Sequence, residues 1–430
     1  MKPVDSKHFC MAAFVHTMID TVNAVKLCCA SRTTVESIND NPSIIKIWNG
    51  DEYKKIRQDM IDDKPIAGCE ICYKHEKENI FSDRQHFNRR FRDTDINIDT
   101  GNSHNKPISY DLRPNNLCNL KCIMCGPASS SQIAKEIDEN PVLFSIRIDK
   151  HGITEGRLLT TKFNNDDWLD ELEETVLSVP NPDLKLLGGE PTLIPEHMRI
   201  MTKLSEQNNH NGKLLITTNL TNINNNFRKI LETFDDVHIA CSVDGYGTTL
   251  EYIRNPINYT SWRKNLDTLI EIRGDRKEFV IELHAVAQLF NLYHLPDFFK
   301  FAIDLNYNHK IMFSFTNVLA YKERPTDVRW APLEDRIRIA NELEEISKTI
   351  PLKLLKSSRI GHVLPMLRDD SDPEQFEDKL LLANYVVPRD ITRDRHIKDF
   401  IPEVYQLMEK EYDIVEEHML KYTKKENTNE

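Results

Sequence analysis

Apolar and polar positions along the 430-residue chain fall into three textures. In the middle half, short apolar runs alternate with longer stretches whose apolar residues recur at helical spacing. The runs are ISYDLRP (108–114), DLKLLGG (183–189), KLLITTNL (213–220), VHIACSVDG (237–245), EFVIELHAVA (278–287) and KIMFSFTNV (310–318). Pro195–Gln207, Asn222–Phe234 and Tyr259–Arg273 lie between them and read as amphipathic helices. Strand and helix in alternation predict an α/β fold on a parallel sheet or barrel, with its chemistry at the C-terminal ends of the strands. Before this region, Phe9–Val15 and Ala24–Leu27 read as strands and Ser43–Met60 as a helix. After it, Ala331–Ile350 and Asp399–Tyr422 read as helices. The polar segment Asp93–Lys106 reads as a linker. The expected division is 1–104, 105–320 and 321–430.

Composition narrows the possibilities. Lys and Arg number 56 against 68 Asp and Glu, a formal charge of −12, which disfavours general nucleic-acid or membrane-surface binding. No run approaches the ~18 apolar residues that span a bilayer, and the first twenty residues lack the pattern of a signal peptide. A reducing cytoplasm is therefore expected, where clustered cysteines serve metals or catalysis rather than disulfides. Nine cysteines are present, and their clustering is the informative feature.

LCNLKCIMCGP sets Cys118, Cys122 and Cys125 in a CxxxCxxC pattern directly after the first strand-like run. Three thiolates can hold three irons of a [4Fe–4S] cube and leave the fourth open; zinc would need a fourth protein ligand, and none is obvious nearby. Three buried structural cysteines are the plain alternative. LLGGEPTL follows the second run, with Gly188 and Gly189 permitting close backbone approach and Glu190 offering an acceptor for an ammonium group. ACSVDGYGTTLEYIRN carries Ser242, Asp244 and, twelve residues after Ser242, Arg254. In ITTNLT, Thr218 and Asn219 face a pocket or cap the next helix.

These three motifs, in this order, resemble the radical S-adenosylmethionine (SAM) superfamily. The resemblance implies a partial (β/α)6 barrel, a SAM-binding [4Fe–4S] cluster on Cys118, Cys122 and Cys125, and reductive cleavage of SAM to a 5′-deoxyadenosyl radical that takes hydrogen from a substrate. By the same resemblance, Gly188, Gly189 and Glu190 contact the methionine amino group. Ser242 and Asp244 lie near the ribose, and Arg254 near the SAM carboxylate. Met124 stands where many relatives carry an aromatic residue.

The N-terminal region holds Cys10, Cys28, Cys29 and the CxxC of Cys69 and Cys72. Spacing alone leaves zinc and iron–sulfur open. The region resembles a twitch domain, a shortened SPASM domain with one auxiliary [4Fe–4S] cluster, which implies Cys10, Cys28, Cys69 and Cys72 as ligands. Such domains place a turn glycine five positions before a ligand cysteine; Asn23 holds that place before Cys28 and is the residue that best replaces Gly at positive φ. This domain would precede the barrel rather than follow it, and a full SPASM domain would need about three more cysteines. Cys29 and Cys241 read as buried small hydrophobes. His284 and His294 fall near a strand end, where each is either within reach of substrate or, as is usual for a lone His, simply a satisfied polar residue.

The family resemblance suggests a peptide or small-molecule substrate, crosslinked, oxidised or dehydrogenated, and an electron donor such as flavodoxin or ferredoxin. No leader-peptide-binding or cobalamin domain is evident. The competing class is a non-enzymatic iron–sulfur or zinc protein, an electron carrier or regulator, which accounts for the cysteines but not for the other motifs.

Overall fold

In a computed structural model, nine strands form one sheet; the residues described are 6–78, 80–96, 106–149, 152–155, 168–317, 325–371 and 376–426. The strands are β1 (His16–Ile19), β2 (Ala24–Lys26), β3 (Thr34–Ser37), β4 (Ser109–Leu112), β7 (Asp183–Leu186), β8 (Lys213–Thr218), β9 (Asp236–Ser242), β10 (Phe279–Ala287) and β11 (Met312–Asn317); β5 (Ile146–Asp149) and β6 (Gly152–Glu155) form a separate antiparallel hairpin. The order is β3-β2-β1-β4-β7-β8-β9-β10-β11. All pairings from β1 and β4 through β11 are parallel, whereas β2 joins β1 and β3 antiparallel. Each of the six strand-like runs of 108–318 is a strand, and consecutive ones are neighbours, as short right-handed crossovers favour.

Side-chain alternation explains how this sheet is held. Leu184, Leu186, Leu214, Ile216, Val237, Ile239, Ile281, Leu283, Phe313 and Phe315 are all buried on one face. Helices such as Pro195–Glu206, Asn225–Thr233, Tyr259–Arg273 and Leu295–His309 supply the facing apolar stripes. The other face carries Ser109, Asp111, Asp183, Lys185, Lys213, Thr217, His238, Glu282, His284 and Ser314. A buried sheet normally reads as apolar on both faces; this one is polar on one face, which is what a site needs.

The N-terminal elements differ from expectation. Phe9–Val15 contains a short helix, Ala12–Val15, and the strand begins at His16. The run FCMAAFV has no period to separate strand from helix, and all of Phe9–Val15 is buried. Ser43–Met60 is two helices, Ile44–Trp48 and Asp51–Ile61, parted at Asn49–Gly50. Because β1 pairs with β4, the N-terminal strands β1, β2 and β3 extend the main sheet. Most of the expected linker, 97–105, lies outside the described residues. The C-terminal region is helical, with Leu333–Ser347, Leu352–Ser358, Ile360–Leu367, Lys379–Arg393 and Glu409–Glu426.

Candidate active site: a cysteine loop between two ladders

Residues 115–125 form an extended loop after β4, gripped from both sides by backbone hydrogen bonds. On one side Gly189 N donates to Asn115 O (3.2 Å) and Glu190 N to Leu117 O (2.7 Å). A Cβ on Gly189 would sit 2.1 Å from Leu117 O, and one on Gly188, where φ is +120°, 2.8 Å from Asn115 O. Both glycines therefore serve the approach of this loop to the cysteine loop. On the other side Lys121 N donates to Asn255 O (2.5 Å) and Ile123 N to Ile253 O (2.8 Å). That register sets Cys122 opposite Arg254, whose Nη1 donates to Cys122 Sγ at 3.8 Å.

Further donors reach the sulfurs. Leu120 N lies 3.4 Å and Asn219 Nδ2 4.0 Å from Cys118 Sγ. Cys118 and Cys122 are buried, and Cys125 is half-buried. Burial pushes the Cys118 thiol up to about 11. Cys122 and Cys125 share a hydrogen bond that draws Cys122 down and, with burial, holds Cys125 well up. Met124 is partly buried and packs on the core.

Glu190 is 1% exposed and its carboxylate is mostly committed. Oε1 accepts from Thr218 Oγ1 (2.6 Å), Thr192 Oγ1 (2.8 Å) and Thr192 N (3.2 Å); Oε2 accepts from Asn219 N (2.6 Å). Burial outweighs these bonds and raises its pKa. With about four acceptor positions on a carboxylate, Glu190 has at most one left, on Oε2. Its clearest task in the structure is to tie the GGEP turn to the end of β8. Thr218 and Asn219, weighed as pocket or cap residues, belong to that tie.

Asp244 is fully buried. Its Oδ1 accepts from Val286 N (2.8 Å), and its Oδ2 forms an ion pair with Arg254 Nε (2.7 Å). Ser242 ends β9, half-buried, beside His284 in the β9–β10 register. The three motifs thus converge at the C-terminal ends of β4, β7, β8 and β9, as parallel-sheet chemistry requires.

A cavity of about 600 Å³, lined by no residue of the cysteine loop, runs from His16 on β1 to Ser314 on β11, on the polar face of the sheet. Near one end Lys185 and Arg113 pair with Asp111. Near the other, His238 Nε2 meets Glu282 Oε2 (2.7 Å), Ser314 donates to Glu282, and His284 Nδ1 meets Ser314 Oγ (3.0 Å). Burial raises the Glu282 carboxyl, but the His238 and Ser314 hydrogen bonds prevail and hold it at about 2. Burial lowers His284 and favours its neutral form. His284 lines this cavity; His294 does not, and lies 3.9 Å from Glu403. Arg359, with φ +55° between two C-terminal helices, also lines it. His238, Glu282, Ser314 and Arg359 escaped the sequence reading. Period-2 polarity in VHIACS and EFVIELHA was the available signal for His238 and Glu282.

The N-terminal cysteines divide. Cys10, Cys28, Cys69 and Cys72 line one small enclosed cavity with His8, Tyr73 and Arg84. Burial pushes Cys69 up to about 12 and Cys10, Cys28 and Cys72 upward as well. Asn23 has φ +63°, as its position five residues before Cys28 predicts. Cys241 is buried in β9, but Cys29 is exposed, not buried; it lines the larger cavity, 3.4 Å from Lys185 Nζ. Of the adjacent pair, Cys28 takes the inner place. Among the described residues, no group of three or more cysteine, histidine or carboxylate side chains is gathered as the ligands of one metal ion would be.

No family model and no curated protein matches the chain. Among solved structures it is similar to a histidine-tagged anSMEcpe with bound AdoMet, at 18% identity over 59% of this chain and 62% of that one, with a TM-score of 0.38. It is similar to Streptococcus suis SuiB bound to S-adenosylmethionine, at 16% identity over 69% and 63%, with a TM-score of 0.37. A third likeness is to TYW1 with a lysine-pyruvate adduct bound, at 15% identity over 54% and 72%, with a TM-score of 0.30. The chain spans a little under two thirds of the first two relatives' lengths. At these scores the likeness bears on neither the site nor its chemistry. Among the described residues no helix is long and apolar enough to cross a membrane.

Proposed function

We propose that this chain is a radical SAM enzyme built on a six-stranded partial barrel, with SAM chemistry in 105–320, an auxiliary cluster in 1–104 and a pocket wall from 321–430. One observation carries the reading: the GGEP turn and the Arg254 segment grip the CxxxCxxC loop by separate backbone ladders at the strands' C-terminal ends. A flat sheet would set β1 and β11 roughly 30 Å apart at ~4.8 Å per strand. Their joint lining of one cavity supports a curled sheet.

The residues fit the implied cofactor. Three thiols lie on one short loop, two sulfurs already meet N–H donors, and a charge-compensating cation sits beside them; thiolate ligands need such donors. Each cysteine of a [4Fe–4S] cube binds its own iron, so the thiols need not crowd one point as around zinc. When bound, cluster and SAM supply one-electron reductive cleavage and hydrogen abstraction, and the hard chemistry is theirs. The chain's own residues do the rest. Cys118, Cys122 and Cys125 hold the irons. Gly188 and Gly189 bring the turn against the loop, leaving Glu190 Oε2 one acceptor position for the SAM ammonium. Ser242, at the end of β9, would meet the ribose.

The substrate, a peptide or a small molecule, would sit over the polar floor, where His238, Glu282, Ser314 and His284 offer donors and acceptors. Cys10, Cys28, Cys69 and Cys72 would hold an auxiliary [4Fe–4S] cluster, and a flavodoxin or ferredoxin would supply electrons. A cytoplasmic location accords with oxygen-sensitive clusters and free thiols.

The test is anaerobic reconstitution with iron and sulfide, then dithionite and SAM. 5′-Deoxyadenosine formed by the loaded, reduced protein supports the reading; a loaded and reduced protein that forms none ends it.

A further inference from the structure

The resemblance places Asp244 at the ribose and Arg254 at the SAM carboxylate, but the structure occupies both otherwise. Arg254 Nη1 donates to Cys122 Sγ (3.8 Å) while its Nε pairs with Asp244 Oδ2 (2.7 Å). The arrangement is over-determined. Lys121 N and Ile123 N lock Cys122 opposite Arg254, and Val286 N with the Asn291 Nδ2 bond to Asp244 O (3.0 Å) locks Asp244. Both charges are buried, with side chains 9% and 0% exposed. A buried ion pair rarely repays its desolvation, and this one touches a thiol assigned to the cluster.

We propose that Asp244 and Arg254 form a buried charge pair that sets the reduction potential of the cluster held by Cys122, with Arg254 the donor to sulfur and Asp244 the residue that positions it and offsets its charge. This rests on the proposed cluster at Cys118, Cys122 and Cys125. Reduction adds one negative charge to a cluster, so a cation donating to a ligand sulfur stabilises the reduced form and a nearby carboxylate opposes it. Hydrogen bonds to sulfur and local charge are among the levers that set such potentials. Asn219 Nδ2 and Leu120 N, both directed at Cys118 Sγ, act in the same sense as Arg254 but carry no charge.

The consequence is a pair of opposite signs. Arg254→Gln removes the cation and leaves Asp244 facing the cluster; Asp244→Asn leaves the cation uncompensated. The experiment is an anaerobic potentiometric titration of the reconstituted full-length protein without SAM, followed by electron paramagnetic resonance. The relevant signal is recognised by its change when SAM is added at the end. At fixed solution potential the reduced-to-oxidised ratio should fall about tenfold in Arg254→Gln and rise about tenfold in Asp244→Asn, each equivalent to 59 mV for one electron. Arg254→Lys, which keeps the charge but not the fork, should give a smaller fall and stands in if the Gln variant does not load iron. Shifts of one sign in both variants, or no shift in either, overturn the proposal and leave the proposed cluster intact. A wild-type protein that binds no iron at the triplet refutes the cluster itself, and iron analysis separates that result from the first.

Discussion

The two cysteine sets are assembled in opposite ways. Cys118, Cys122 and Cys125 lie within eight residues, in a loop at the strand ends, with Arg254, Asn219 and the Leu120 amide directed at their sulfurs. Cys10, Cys28, Cys69 and Cys72 are drawn from three segments around a closed cavity, where burial dominates each thiol. On the proposed reading, the first set would hold a group that must exchange ligands and meet a substrate, and the second would enclose one. An open coordination position beside a pocket and a closed set of four ligands are the difference between catalytic and structural or redox-storing centres.

The largest effect should come from breaking the open set. Cys122→Ala is expected to abolish 5′-deoxyadenosine formation and to lower iron from about eight to about four per chain. Iron that stays near eight would show that Cys122 is not a ligand. The converse variant, Cys69→Ala with Cys72→Ala, should also leave about four irons, now with the SAM-responsive signal retained and substrate-free SAM cleavage preserved. Within that set, Cys28→Ala should lose the auxiliary cluster and Cys29→Ala should keep it. An iron count that responds to Cys29 instead would reverse the assignment.

A further variant weakens the grip on the open loop without touching a cysteine. Glu190→Gln keeps the shape but replaces one acceptor oxygen by a donor amide among four donors. Losing a charge-assisted bond costs about 1.5–3 kcal/mol, and the GGEP turn and the end of β8 share the loss. The concentration of SAM at half-maximal cleavage should rise about tenfold, the equivalent of 1.4 kcal/mol, while iron at the N-terminal set stays constant. An unchanged SAM requirement would confine Glu190 to a structural tie.

The two sets were unequally legible in the sequence, for physical reasons. Cys118, Gly189 and Arg254 sit in local motifs after strand-like runs, and the six runs became six parallel strands because their apolar face alternates or runs unbroken. Tyr259–Arg273 was legible to the residue from its helical spacing, and the structure adds an Asn258 cap. The N-terminal set needs contacts between residues some sixty apart, which no period encodes, yet Asn23 and the CxxC marked two of its corners. Cys29 was misread because adjacent cysteines carry the same composition signal, and only the backbone decides which faces inward. Phe9–Val15 was misread because total burial erases the period. Arg359 and the Tyr385 hydroxyl, which donates to Ile123 O in the cysteine loop, were invisible because they arrive from the C-terminal helices by tertiary packing alone.

The smallest expected effect sharpens the comparison at the enclosed set. Asn23 holds φ +63° between β1 and β2, and its Nδ2 donates to Asn39 Oδ1 (2.9 Å). A left-handed residue with a Cβ costs roughly 1–2 kcal/mol unless it is Asn, Asp or Gly. Asn23→Ala should therefore destabilise the protein by about that much, together with ~1 kcal/mol for the lost side-chain bond. Asn23→Gly recovers the backbone term and leaves the lost bond plus a small entropic cost. The turn leads through β2 to Cys28, so its strain should appear as slower or incomplete loading of the four-cysteine set, with the three-cysteine set unaffected. Thermal unfolding in the order wild type, Gly, Ala, with loading of the auxiliary cluster in the same order, is the expected result. An Ala variant as stable and as well loaded as the Gly variant would mean that the turn does not position Cys28, and the enclosed set would then owe its geometry to Gly68, with φ +86°, and to the helix Glu70–Lys77 that carries Cys72.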